Sequence, residues 1–251
     1  MLICLIVIPY TVYAIRINAY GQEHKPEGYQ FPHYSQLWIT ALSALFFLTF
    51  SRAVAKLRPY VLQFVPMEKK ETGTVLSESK RNATAAKMEK NLVYIVSYTA
   101  LSIWCWIECK DEPWMPTFLG GRGAFEVSAK DMPFVNCNSN ILTLGLVSFG
   151  LRVKFMVNQI LLERGSKDFF EMLLHDLVTL FLVFGYLFSN LLPVGTMITL
   201  LHDVTDVPLQ VAKMLNASTY SSLVPIPFVT CQVMWFYFRL CCLPVLIYKV
   251  S

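Results

Sequence analysis

The chain has 251 residues, 55% of them apolar and 14% aromatic, with only 15% charged and a net charge of +4. A globular domain carries about 25% charged residues, so this composition excludes a water-solvated surface. No basic stripe with interleaved aromatics is present, which argues against a nucleic-acid partner.

The bilayer is the remaining solvent, and a helix needs about 20 mostly apolar residues to cross it. Residues 2–15 are apolar but lack a basic leader and a small-residue cleavage pattern before Arg16, so they read as a short helix or anchor rather than a signal peptide. Residues 34–51, 92–107 and 177–194 contain no charge, and 223–248 contains Arg239 alone. Two further stretches carry charges: 141–162 holds Arg152 and Lys154, and 195–215 holds His202, Asp203, Asp206 and Lys213. Such groups enter lipid only when they face a bundle interior, a wet cavity or a partner. For Arg152 and Lys154, snorkelling or pairing with Glu163, Asp203 or lipid phosphate is the favoured reading. The chain is therefore predicted to be all-α, a polytopic membrane protein of six to seven transmembrane helices. Its organisation reads as a hydrophobic anchor and short loop over 1–35, a transmembrane helix and basic connector over 36–86, and the main membrane domain over 87–251.

Sidedness follows from the connector. Arg52, Lys56, Arg58, Lys69, Lys70, Lys80, Arg81, Lys87 and Lys90 lie between the second and third spans, which places that loop on the cytoplasmic side, or the matrix side of a mitochondrial membrane. Alternation then puts residues 163–167 on the same face and 108–138 opposite. Residues 66–87 read as a solvated connector, and Pro113, Pro116, Gly120, Gly121 and Gly123 make the opposite loop rich in turns. Asn82-Ala-Thr84 and Asn216-Ala-Ser218 match the glycosylation acceptor pattern but fall on the basic side, where no modification is expected. Cys4, Cys105, Cys231, Cys241 and Cys242 sit in apolar spans and read as small hydrophobes. Cys109 and Cys137 bracket the opposite loop, where a disulfide is allowed though the sequence does not fix it.

Residues 167–214 concentrate the polar groups. On a helix over 168–192, His175, Thr179, Tyr186 and Asn190 fall on one stripe, predicted to face protein rather than lipid. On the next helix His202 and Asp206 are four apart and Asp203 and Asp206 three apart, so they share a side. A turn at Pro193 and Gly195 is expected to make the two helices antiparallel neighbours. An Asp at mid-helix costs about 2.5–3.5 kcal/mol on insertion scales, so compensation is required. Three readings stay open: His175 as general base or nucleophile oriented by carboxylates, a metal site from His175, Asp176, His202, Asp203 and Asp206, or a hydrogen-bonded network that sets helix register.

The run from Lys167 through Glu171, His175, Asp176 and Thr179, then Asn190, Gly195-Thr196, Leu201-His202-Asp203, Asp206 and Ala212-Lys213-Met214, resembles the Lag motif of ceramide synthases in the TLC-domain family. Residues 87–98 with Glu112-Pro113-Trp114, and Arg239-Leu240 with Leu243-Pro244, resemble flanking features, so the likeness covers roughly 87–244. The resemblance implies an endoplasmic-reticulum enzyme that joins fatty acyl-CoA to a sphingoid base, with helices around a central lipid cavity. It implies catalytic roles for His175, Asp176, His202, Asp203 and Asp206, and cavity-lining or substrate roles for Thr179, Tyr186, Asn190 and Lys213. Neither a bound cofactor nor a metal is implied; acyl-CoA would be a co-substrate, and membrane lipids the surroundings. The chain departs from the family in reading His175-Asp176 where two histidines are usual, Pro193 for a basic residue and Gln210 for an acidic one, and the family continues through at least one more helix beyond the position of Ser251. These departures motivate the alternative of a non-catalytic lipid-binding or structural subunit, in a homo-oligomer or a larger complex such as one of the mitochondrial inner membrane.

Overall fold

The computed structural model describes residues 2–27, 31–67, 77–130, 132–135, 137–165 and 168–250. Lys69, Lys70 and Lys167 lie outside them, as does the Cys4 side chain.

Among the described residues the regular elements are all helical, α-helices with 3-10 turns and one π-helical stretch, besides one isolated bridge between Pro116 and Gly123. Helix α1 (Leu2–His24) is longer than the apolar run that starts it, and its 23 residues reach about 34 Å. Before α2 (Leu37–Ala55), His33 and Gln36 form a reciprocal capping box around Tyr34–Gln36. A short α3 (Arg58–Phe64) carries Pro59 in its first turn, where the missing N–H costs nothing. Helix α4 (Glu78–Cys109) begins inside the stretch expected to be connector, because Glu78, Lys80, Arg81 and the following alanines are good helix formers that continue the membrane helix into water. Helix α5 (Ser139–Leu162) is capped by the Asn138 side chain, which accepts from Asn140 N. Then come α6 (Phe169–Phe188), α7 (Leu192–Asn216) and α8 (Pro225–Trp235). A π-helical stretch, Phe236–Cys242, joins α8 to α9 (Leu243–Val250). There the Leu243 N–H bonds to the Phe238 carbonyl, five residues back, just before Pro244, which has no N–H to donate.

Among the described residues, five segments are long and apolar enough to cross a membrane: Tyr34–Ala55, Glu78–Cys109, Ser139–Leu162, Phe169–Phe188 and Ser221–Lys249. The all-helical, polytopic expectation holds. Helices α1 and α7 have the length to cross as well.

The chain clusters into two compact units. The first comprises Met1–Phe47, Trp104–Thr199 and Leu246–Ser251. In it α6 packs between α1 and α5, and small residues let the helices approach, as membrane packing favours. A Cβ on Gly185 would overlap the Tyr10 ring, one on Gly145 the Leu187 side chain, and one on Gly150 the Ser43 side chain and Thr40 backbone. Thr40 Oγ1 donates to the Leu146 carbonyl at 3.2 Å. Asn18 Nδ2, fully buried, donates to Pro32 O at 2.8 Å and Phe188 O at 2.9 Å, tying the last turns of α1 to the end of α6. The same unit holds the 110–138 loop, where Lys249 Nζ donates to Glu126 Oε1 at 2.7 Å. That contact holds the exposed Glu126 carboxyl below the usual carboxylate range.

The second unit comprises Leu48–Ile103 and Leu200–Val245. Arg58 makes two parallel 2.8 Å bonds to Glu89, whose residue is buried; this fork geometry is the strong form of a carboxylate pair. Val65, Ala85 and Met88 pack with Val61, Leu62, Met214 and Ala217, and Thr219 N donates to Phe64 O at 2.8 Å. The basic residues of α3 and early α4 lie in this second unit.

Gly185→Ala is expected to destabilise the protein by roughly 1–3 kcal/mol through overpacking against Tyr10, whereas Gly165→Ala, with no atom within 4 Å of the added carbon, should leave stability unchanged. Thermal unfolding in detergent compares the two; equal midpoints would show that the α1 and α6 contact is not tight.

Candidate functional site

On α6, His175 and Asp176 sit together near the start of the helix: Nδ1 lies 3.3 Å from Asp176 Oδ1. The imidazole side chain is 70% exposed and the carboxylate 19%. Thr179 Oγ1 turns back to the His175 carbonyl at 2.8 Å, the local bond that a hydroxyl in a helix makes with the preceding turn. The four-residue stripe is thus uneven, because Tyr186 and Asn190 are buried while His175 is exposed.

Tyr186 lays its ring where a Cβ of Gly195 would fall, so Gly195 is required for the first turn of α7 to approach the end of α6. Asn190 adopts φ 57°, the left-handed conformation that Asn tolerates better than most residues. Its position follows the C-cap of α6, and Leu191 N closes the helix by bonding Tyr186 O at 2.9 Å, the longer bond of a Schellman ending. The Asn190 amide meanwhile donates to Pro133 O at 2.8 Å and reaches Val135 O at 3.5 Å. Both residues, expected to line a cavity, carry these packing and capping contacts. Beside them a cavity of about 150 Å³ is lined by Tyr13, Ile17, Met132, Pro133, Ser189 and Leu191, smaller than the roughly 300–1,000 Å³ of ligand pockets.

On α7, Asp203 and Thr205 are buried and Asp206 half-buried, with Lys213 exposed. The group that organises them is Arg239, from the π-helical stretch. Its Nη2 donates to Asp206 Oδ1 at 2.9 Å and to the His202 carbonyl at 3.3 Å, while Nε donates to Thr205 Oγ1 at 3.2 Å. The Thr205 hydroxyl in turn donates to His202 O at 2.8 Å, and Cys231 Sγ donates to Thr205 O at 3.7 Å. Pro208 follows without an N–H for the Val204 carbonyl. A π-bulge is a frequent marker of function, and here it carries the cation that neutralises Asp206. The sequence showed Arg239 as the lone charge of an apolar span and as part of a flanking feature of the family resemblance, without its partner; its isolation was itself a signal, since a charge in a span needs a named partner. No group of three or more His, Cys, Asp or Glu among the described residues is arranged to hold a metal ion.

Comparison with known proteins adds to this geometry. Residues 87–251 match the family model described as the TLC domain. The chain is similar to the ceramide synthase hyl-2 of Caenorhabditis elegans, 23% identical over 230 residues that cover 89% of this chain and 65% of that protein. It is also similar to ASC1-like protein 3 of Oryza sativa subsp. japonica, 25% identical over 178 residues covering 70% of this chain and 60% of that one. Human ceramide synthase 5 is 47% identical over 58 residues, covering 23% of this chain and 14% of its own. The chain therefore spans less than two thirds of the length of these relatives.

Asn190→Ala should destabilise by about 1–2 kcal/mol more than Asn190→Gly, since only Ala bears the left-handed backbone cost, while both lose the bonds to the 132–135 segment. Chemical denaturation in bicelles distinguishes them; equal losses would assign the whole effect to the side-chain bonds.

Proposed function

Because the chain belongs to the TLC-domain family, whose model matches most of its length, we propose that it is a divergent, ceramide synthase-like N-acyltransferase of the endoplasmic-reticulum membrane. Its substrates under this reading are a fatty acyl-CoA and the primary amine of a sphingoid base. The observation that carries the proposal is the hydrogen-bonded His175 and Asp176 pair at 3.3 Å, within the stretch that resembles the Lag motif.

Amide formation joins the amine nitrogen to the thioester carbonyl carbon, breaks the carbon–sulfur bond, and moves one amine proton to a base, which hands it on to the departing thiolate. His175 is assigned the base. A carboxylate at Nδ1 favours the tautomer with the proton there, which directs the accepting lone pair of Nε2 to the substrate. Asp176, standing where the family has a second histidine, serves as that orienting group. In the second unit Arg239 is a positioning residue that fixes Asp206, and the resemblance to the family assigns His202, Asp203 and Asp206 to the same activity. Thr179 and Lys213 are assigned substrate contacts by the family resemblance, while Tyr186 and Asn190 hold the junction of α6 and α7.

A second reading, a non-catalytic lipid-binding or structural subunit, is favoured by one observation: the imidazole is 70% exposed and its bonded carboxylate is its chain neighbour.

Membranes carrying the protein, supplied with acyl-CoA and a labelled sphingoid base, are expected to form the amide. His175→Ala should lower the rate at least about 100-fold, the low end for loss of a positioned base, without lowering the thermal midpoint. Product formation unaffected by His175→Ala overturns the proposal, and a folded wild-type protein that makes no product selects the second reading.

A further inference from the structure

The 110–138 loop, which the proposed activity leaves unused, is fastened at both of its ends to one corner of the first unit. Glu108 Oε2 accepts from Asn138 Nδ2 at 3.0 Å and from Asn140 Nδ2 at 3.1 Å, while Glu108 Oε1 accepts from Trp104 Nε1 at 3.1 Å. The Asn138 backbone N–H points at Glu112 Oε1 at 3.4 Å. In the Glu108 and Asn138 pair each member has a cysteine as its chain neighbour: Cys109 follows Glu108 and Cys137 precedes Asn138. Cys109 is fully buried and Cys137 half-buried, both as free thiols. The Cys137 thiol is pushed up to about 12, mainly by burial and further by the charges of Glu112 and Cys109. Burial likewise raises Glu112 above the usual carboxylate range. Cys105, one turn before Cys109, lies 4.0 Å from it, sulfur to sulfur, inside α4.

We propose that Cys109 and Cys137 are a disulfide site, closed on the non-cytoplasmic side of the membrane, that staples the end of α4 to the start of α5. The chemistry is thiol–disulfide exchange with a small-molecule or protein disulfide as oxidant. Two S–H bonds of the chain and one donor S–S bond break, one S–S bond forms in the chain, and the donor takes both electrons and both protons to leave as two thiols. The compartment supplies the condition: the basic connector faces the reducing side, so the loop opposite faces the oxidising one. Cys105 is the less suitable partner for Cys137, because it lies a turn deeper in the apolar part of α4, while Cys109 ends the helix where the hydrogen-bonded corner begins. A thiol buried beside carboxylates forms thiolate poorly, so the closed bond exchanges slowly and acts as a staple rather than a fast switch. This inference rests on sidedness and geometry, and holds or fails separately from the acyltransferase reading.

The full-length protein is isolated from eukaryotic membranes quenched with N-ethylmaleimide, digested without reductant and mapped by mass spectrometry. The expected result is a peptide containing Cys109 joined to one containing Cys137, separated by reductant, and a melting midpoint about 5–10 °C lower after reduction. Cys137→Ser, which removes the less buried partner, should melt at the reduced midpoint and be insensitive to reductant. Recovery of both cysteines as alkylated thiols, or linkage of either one to Cys105 instead, overturns the proposal.

Discussion

Within hydrocarbon no water is present to satisfy a polar group, so each carbonyl, amide and charge must find its partner inside the protein. That constraint explains the arrangement around Arg239. An isolated Arg or Asp in a span costs several kcal/mol; here the guanidinium gives its N–H groups to Asp206, Thr205 and the His202 carbonyl. Three features that each look unfavourable in a membrane helix, a π-helical register, an arginine and an HDxxD run, become mutually dependent. The widened turn carries the arginine, which neutralises a carboxylate and accounts for a carbonyl at the first residue of the run.

The same rule operates without charge in the first unit. Asn18, Thr40 and Asn190 each send a side-chain donor to a backbone carbonyl on another segment. Gly145, Gly150, Gly185 and Gly195 bring the helices close enough for such bonds to form. Since apolar burial gives no net drive between helices already in lipid, close packing and hydrogen bonding are what is left to specify the unit. The tyrosines share in this: Tyr10 occupies the space above Gly185 and Tyr186 the space above Gly195.

Much of the architecture was legible because apolar runs of about 20 residues have few meanings. Five of the spans and the turn-rich loop were readable from hydropathy and from the Pro and Gly residues. Helix ends were less so. Helix α4 starts among Glu, Lys and Arg that hydropathy assigns to water, although helix propensity carries straight through them, and α1 runs on to His24 through polar residues that its apolar start gave no reason to include. At the candidate site the residue types were readable but their partners were not. Periodicity placed His175 and Asn190 on one stripe; it cannot say that the first is exposed and the second ends the helix in a left-handed turn. Arg239 was visible as a lone charge, yet its approach to Asp206 depends on the π-helical register, which leaves no periodic trace over seven residues.

The central claim is that ionised groups of the membrane helices are held by one another. A double-mutant cycle measures it most directly: Arg239→Met, Asp206→Leu and the double variant, unfolded reversibly in bicelles. The account predicts a favourable coupling of about 1–3 kcal/mol, the double variant being more stable than the sum of the single losses implies. Strictly additive losses would mean that the two side chains do not compensate each other, and would contradict it.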